Sequence, residues 1–292
     1  MLLNLSQSLL RGINHLGSRL PKTIQRKIAD FPGLLDFFQR STRNIQEVIR
    51  SPEGQEIVIH PLFHANLQSH GDLSGYEPDM RKVLQQLTQP GMTAYDIGAN
   101  VGVFTFLLAS RVGDDGHVYA FEPEPNNYEC LRLSINLNTA GNIRLDTRAV
   151  SHIMNREHFD RRGGAFSGRL ISENKVYQKT QNLIEVETVS IDRLVFDEGA
   201  KPPHIIKIDV EVNEKRVLEG MQKTLNDYSP IIVCELHTHL GESSAEVQSL
   251  LHAAGYTLFP IEQVVLNGIK HASPITHLAE IRHIVAIKLT KN

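Results

Sequence analysis

From residue 76 onward, short apolar runs alternate with segments of helical length. Thr93-Ala-Tyr-Asp-Ile97 precedes a helical pattern at about 102–111, and His117-Val-Tyr-Ala-Phe121 precedes one at about 125–138. Ile143-Arg-Leu-Asp-Thr147 is a third run. His204-Ile-Ile-Lys-Ile208 leads into a helix at about 213–226, and Ile231-Ile-Val-Cys-Glu235 into one at about 243–254. Tyr256–Phe259 and Ile281–Leu289 close the series. Strands that alternate with crossover helices form a parallel sheet, and the helices must cover both of its faces. The expectation is an α/β fold with a doubly wound, mostly parallel, seven-stranded sheet over residues 76–292. Residues 156–189 interrupt the rhythm. They are punctuated by Gly163, Gly164 and Gly168, and Leu183–Val189 alternates as a strand.

Two segments precede this domain. In residues 2–29, Leu2, Leu5, Leu9, Ile13, Leu16, Leu20, Ile24 and Ile28 recur every three or four positions, the stripe of an amphipathic helix. Pro21 divides it, because proline is tolerated in a first turn and not in a helix interior. Residues 1–50 carry eight Lys or Arg against three acids, while the whole chain has a net charge of −3. This region therefore reads as a basic helical appendage, with its own contacts to the main domain, another subunit or a membrane surface. Residues 51–75 contain Glu56-Ile-Val-Ile-His60 and Leu62-Phe63, broken by Pro61, Gly71 and Gly75, and read as a small β element or linker.

Composition narrows the functional classes. An acidic body gives no bulk attraction to nucleic acid, and no nucleic-acid partner is expected. No run of about 20 apolar residues exists to span a membrane as a helix. The first Arg follows the apolar start rather than preceding it, unlike a signal peptide, so a cytoplasmic location is expected. Cys130 and Cys234 are too few for a disulfide framework and are expected in a core helix and a core strand.

The residues that carry chemistry cluster at strand ends. Asp96-Ile-Gly98-Ala-Asn100-Val-Gly102 follows a strand and opens a helix. Gly98 and Gly102 allow a tight turn and close approach of a ligand, and the helix start offers free N–H groups to an anion. Asp96 is placed to accept from an ammonium group, so the turn suits an amino-acid-like ligand. Glu122, 20 residues beyond Gly102, ends the second strand, where an acid can accept both hydroxyls of a ribose. Lys207, Asp209 and Glu211 leave one strand. Glu235, His237 and His239 leave the next. In open α/β sheets such carboxyl ends are where ligands bind.

Taken in order, these residues resemble the FkbM-type family of S-adenosylmethionine-dependent methyltransferases. The resemblance covers roughly residues 76–260. It rests on Tyr76-Glu-Pro78, Asp96-Ile-Gly-Ala-Asn-Val-Gly102, Phe121-Glu-Pro123 with Asn136 following, and Val189-Ser-Ile-Asp-Arg-Leu194. To these it adds Ile206-Lys-Ile-Asp-Val-Glu211, Val217-Leu-Glu-Gly220, Pro230 and Glu235-Leu-His237. It implies a Rossmann-like methyltransferase fold, S-adenosylmethionine as cofactor, and O-methylation of a hydroxyl on a sugar, glycan or secondary metabolite. The cofactor residues are then Asp96, Gly98, Asn100, Gly102, Glu122 and Asp209. One departure stands out: the family has Gly where this chain has Val212, and valine does not readily take a positive φ.

In catalysis His237 is the leading base, since an unperturbed imidazole titrates near working pH. Asp209 is second, as a base or as the group that orients the acceptor. Lys207 neutralises the acidic edge, and Glu235 completes the set. Asp209, Glu211, Glu235, His237 and His239 are metal-ligand types, although the expectation is an enzyme without a metal. Two rivals remain. One is a nicotinamide-dependent oxidoreductase, which needs a glycine where Asn100 stands. The other is a catalytically silent module of the same fold, which Val212 would favour.

Overall fold

The computed structural model describes residues 46–61, 64–161, 168–171, 183–237, 244–275 and 281–289. The amphipathic stripe of residues 2–29, most of the basic appendage, Gly163, Gly164 and His239 lie outside the described residues.

The chain begins with an antiparallel hairpin, β1 (Glu47–Arg50) and β2 (Glu56–Ile59), followed by a short helix α1 (Ala65–Ser69) and then α2 (Pro78–Leu87). Five alternating elements follow: β3 (Thr93–Ile97), α3 (Val103–Val112), β4 (His117–Phe121), α4 (Pro125–Leu137) and β5 (Ile143–Asp146). Next come β6 (Ala149–Val150), β7 (Asn155–Asp160), β8 (Arg169–Ile171) and β9 (Leu183–Val189). The second half holds α5 (Ile191–Phe196), β10 (Ile205–Ile208), α6 (Glu214–Glu219), α7 (Gln222–Asp227) and β11 (Ile231–Glu235). It ends with α8 (Ser244–Ala253), β12 (Thr257–Pro260), α9 (Ile261–Asn267) and β13 (His283–Ile287).

Seven strands make the main sheet, in the order β12-β13-β11-β10-β3-β4-β5. The strands from β11 to β5 run parallel, and β13 is antiparallel to both its neighbours. Order reverses between β3 and β10, and that reversal opens a crevice at their carboxyl ends. Among the described residues, no helix is long and apolar enough to cross a membrane.

Strand parity divides the core into two apolar clusters, one on each face. Ala94, Val118, Ala120, Ile205 and Val233 pack with α3 on one face. Tyr95, Ile97, Phe121, Ile206, Ile208 and Cys234 pack on the other. Cys130 and Cys234 are buried and free, the first in α4 and the second in β11.

Three boundaries differ from the sequence reading. Glu47–Arg50 is a strand inside the stretch assigned to the helical appendage, because its partner β2 supplies a ladder. The element after it is no free linker: Ile57, Ile59, Leu67 and Leu73 join the first core cluster, and Val58 N–H donates to Ser134 Oγ at 2.8 Å. The helix expected over 213–226 is two helices. At Gly220 the chain runs so close to the loop after β6 that a Cβ would sit 2.2 Å from the Ser151 carbonyl. The segment interrupting the sheet forms a second sheet, in the order β6-β9-β7-β8.

Candidate active site

A cavity of about 850 Å³ opens at the carboxyl ends of β3, β4, β10 and β11. That size suits a nucleoside-sized ligand with an acceptor beside it. The second sheet contributes Phe159 and Leu170 to its wall, and the segment before α2 contributes Tyr76 and Glu77.

The turn after β3 is shaped by its neighbours. Gly98 has φ +81°, and a Cβ there would lie 1.9 Å from the Asp209 carbonyl oxygen, so the loop after β10 demands glycine. A Cβ on Gly102, at φ +95°, would meet Leu131 of α4 at 2.4 Å. This glycine serves helix packing and does not line the cavity. Asn100 does line it, with φ +52°.

Asp96 is not where the sequence reading needs it. Register pairs it with Lys207 on the neighbouring strand, on the face that α3 covers. It is completely buried, accepts from Thr105 Oγ1 at 2.6 Å, and lies 3.4 Å from Lys207 Nζ. The ammonium group it meets is that of Lys207, and Asp96 does not line the cavity.

Glu122 lies at the cavity wall with 5% exposure. Its Oε2 accepts from Asn100 N–H at 2.7 Å and its Oε1 from Glu124 N–H at 2.8 Å. Burial pushes its carboxyl up to about 8, with the charge of Glu124 acting in the same direction and the backbone donors opposing. A chain of hydrogen bonds fixes it from behind. The His60 N–H can only donate, so His64 Nδ1 accepts (2.9 Å) and its Nε2–H donates to Asn127 Oδ1 (3.0 Å). That turns the Asn127 amide N–H₂ towards Glu122, at 3.5 Å. Burial holds His64 down at about 4, in the neutral form this chain requires. Glu124 caps α4 and accepts from Arg161 Nε at 2.8 Å, which ties the second sheet to this wall.

At the other end, Lys207 is 2% exposed. Its Nζ lies 3.3 Å from Asp209 Oδ2 and 3.5 Å from the Gly98 carbonyl. Burial opposes its charge, yet Asp209, Asp96 and Glu77 outweigh burial and hold the amine above its ordinary range. A lysine so paired is a fixed cation and not a nucleophile.

Asp209 and His237 leave adjacent strands and converge, with Nε2 3.9 Å from Asp209 Oδ1. The same nitrogen is 3.6 Å from Glu211 Oε2 and 3.6 Å from Glu235 Oε1. On its other side Nδ1 is hydrogen-bonded to Glu214 Oε1. Burial works against a charged imidazole, but Glu214, Glu211 and Asp209 outweigh it and push His237 up to about 9. These acidic partners favour the imidazolium form, so His237 is not the unperturbed imidazole expected of a base. Burial raises the Asp209 and Glu211 carboxyls. Glu235 is different. Burial alone would raise it, yet His283, His237 and Arg282 hold it below the ordinary carboxylate range, with Arg282 Nε 2.7 Å away.

Among the described residues, two sets have ligand atoms close enough to converge on a cation, Asp209–Glu235–His237 and Glu77–Glu235–His283. Glu235 belongs to both, and Arg282 already occupies it.

The loop between β10 and α6 keeps left-handed backbone without its glycine. Glu211 has φ +44° and Val212 φ +72°. Valine is forced into a conformation that costs an L-residue about 1–2 kcal/mol, contrary to the expectation that it would resist. Glu77 was visible in the sequence only within the Tyr76-Glu-Pro78 motif, with no role given to it, and Glu124, Asn127, His64 and Arg161 were not singled out. Acid–proline pairs at Glu77-Pro78 and Glu124-Pro125 signalled helix starts at the first two. The other three are recognised only through their partners.

The model of the Methyltransferase FkbM domain matches residues 96–258, more than half of the chain. The hexuronic acid methyltransferase AglP of Haloferax volcanii is 28% identical, over 63% of this chain and 70% of its own. The 31-O-demethyl-FK506 methyltransferase FkbM of Streptomyces tacrolimicus is 29% identical, over 62% and 78% respectively. A solved structure described as methyltransferase FkbM from Methylobacillus flagellatus aligns with a TM-score of 0.43 and 13% identity, over 71% of this chain and 50% of that one. The matched span runs from the Asp96 turn to β12 and takes in the Glu122 wall and the edge around Asp209 and His237. On that match the chain belongs to the FkbM-type family of S-adenosylmethionine-dependent methyltransferases.

Proposed function

We propose that this chain transfers a methyl group from S-adenosylmethionine to a hydroxyl oxygen of a sugar, glycan or small secondary metabolite. The observation that carries the reading is that one cavity is lined both by Glu122, the acid at the end of β4, and by the edge at Asp209 and His237. The donor set fits the cofactor. Glu122 Oε2 accepts one backbone N–H and retains a lone pair for a ribose hydroxyl, while Oε1 accepts from both Glu124 N–H and the Asn127 amide. The name of one relative, a 31-O-demethyl-FK506 methyltransferase, supports an oxygen acceptor, and that of the other, a hexuronic acid methyltransferase, supports a sugar substrate.

The cofactor supplies a methyl group already activated on sulfonium. The chain therefore needs to supply position, exclusion of water and a proton acceptor. Asp209 is the base in this reading, because burial raises its proton affinity and it faces the cavity. The acceptor's hydroxyl proton passes to Asp209. The His237 imidazolium, fixed by Glu214, orients Asp209 and the acceptor oxygen.

Incubation of the protein with radiolabelled methyl donor and fractionated cell extract tests the proposal. Alkali-stable label in carbohydrate or small-molecule fractions is expected. Label confined to protein or nucleic acid overturns it.

A further inference from the structure

We propose that Glu77, and not Asp96, receives the ammonium group of the cofactor's amino-acid moiety. This rests on the methyltransferase reading above and assigns one binding residue within it.

Asp96 is sealed beneath the cavity floor, its charge engaged by Lys207. A ligand ammonium needs another carboxylate, and Glu77 lines the cavity. Glu77 is the N-cap residue of α2, where a side-chain oxygen normally accepts from the first helical N–H groups. Here the side chain makes no cap hydrogen bond. Its Oε2 is buried and has no hydrogen-bond partner among the described residues. A buried carboxylate oxygen left in that state costs free energy until a donor arrives. Burial and the nearby charge of Asp209 raise the Glu77 carboxyl, which is the strain that an incoming cation relieves.

Position agrees. Glu122 closes β4, and Asp209 follows β10 two strands away, about 10 Å at ordinary strand spacing. A methionine chain running from ribose to ammonium has to cover a distance of that order. Glu77 is near enough to the Asp209 end for its charge to act on Asp209 and Lys207, and its carboxylate is within 4.8 Å of ligand atoms of Glu235 and His283.

Calorimetric titration of the full chain with S-adenosylhomocysteine and with 5′-methylthioadenosine tests the assignment. The second compound keeps adenosine and sulfur but lacks the ammonium. Glu77→Gln should weaken S-adenosylhomocysteine by about 10- to 100-fold, as expected for loss of a charge-assisted hydrogen bond. It should leave methylthioadenosine within about twofold of wild type. Glu77→Asp, which keeps the charge, should fall between, and melting curves check that both variants fold. Unchanged S-adenosylhomocysteine binding in Glu77→Gln, or equal weakening of both compounds, overturns the assignment. Failure of the wild type to bind either compound overturns the methyltransferase reading itself, and the assignment with it.

Discussion

His237 and Glu214 share a buried hydrogen bond, Nδ1 to Oε1, and the carboxylate in it is completely excluded from solvent. The pair spans 23 residues of sequence, from the start of α6 to the end of β11. Because the bond favours the imidazolium, it decides what His237 contributes. The charged form stands 3.9 Å from Asp209 Oδ1.

A pH dependence follows. The folded-state pKa of His237, about 9, lies above its unfolded value of 6.5. The stabilisation is then fully present below about pH 6.5 and is lost as pH rises through about 9. Glu122, raised from 4.5 to about 8, adds a decline of the same sign at lower pH. The difference between wild type and Glu214→Gln isolates His237. NMR titration of the His237 ring should give a pKa near 9 in wild type, and a value well below that in Glu214→Gln. Equal values in the two proteins would refute the role of Glu214.

Asp209→Asn should lower turnover by roughly 10²–10⁴-fold, the usual contribution of general acid–base catalysis. The Kd for S-adenosylhomocysteine should change far less. His237→Ala should also slow turnover, and less severely if orientation is its task. Steady-state kinetics over pH 6–9 would separate them: greater damage from the histidine variant reverses the assignment.

Glu122→Ala should weaken S-adenosylhomocysteine by about 0.5–1.5 kcal/mol or more while the domain stays folded, because hydrogen bonding to the ribose hydroxyls is lost. His64→Leu removes the support behind Asn127 and should cost about 0.5–1.5 kcal/mol of the same binding. Calorimetry reads both. Wild-type affinity in His64→Leu would mean that Asn127 and Glu122 hold their places without it.

Val212→Gly should stabilise the protein modestly. Relief of left-handed strain is worth about 1–2 kcal/mol, against about 0.5–1 kcal/mol for the extra freedom of glycine in the unfolded chain. A net gain of about 0.5–1 kcal/mol in urea unfolding is expected, and a loss would show that packing of the Val212 side chain outweighs the strain.

Much of this protein was determined by sequence alone. Each inner strand is a short apolar run whose residues face helices on both sides, so strand positions, their alternation with helices and the seven-stranded sheet were legible from local pattern. The positions of Asp96, Glu122, Asp209 and His237 at strand ends followed from the same pattern. Which partners each carboxylate meets was decided only by tertiary structure. Strand register places Lys207 beside Asp96 and withdraws that aspartate from the cavity. Packing of α6 against the edge brings Glu214 to His237 and fixes its charge. The turn into α2 carries Glu77 over the cavity, although 19 residues separate it from Asp96 in the chain. The physical reason is that apolar burial is periodic along the chain and leaves a local imprint. A charge, in contrast, is decided by whichever partner the folded backbone brings within a few ångströms, and that partner is set by register and helix docking.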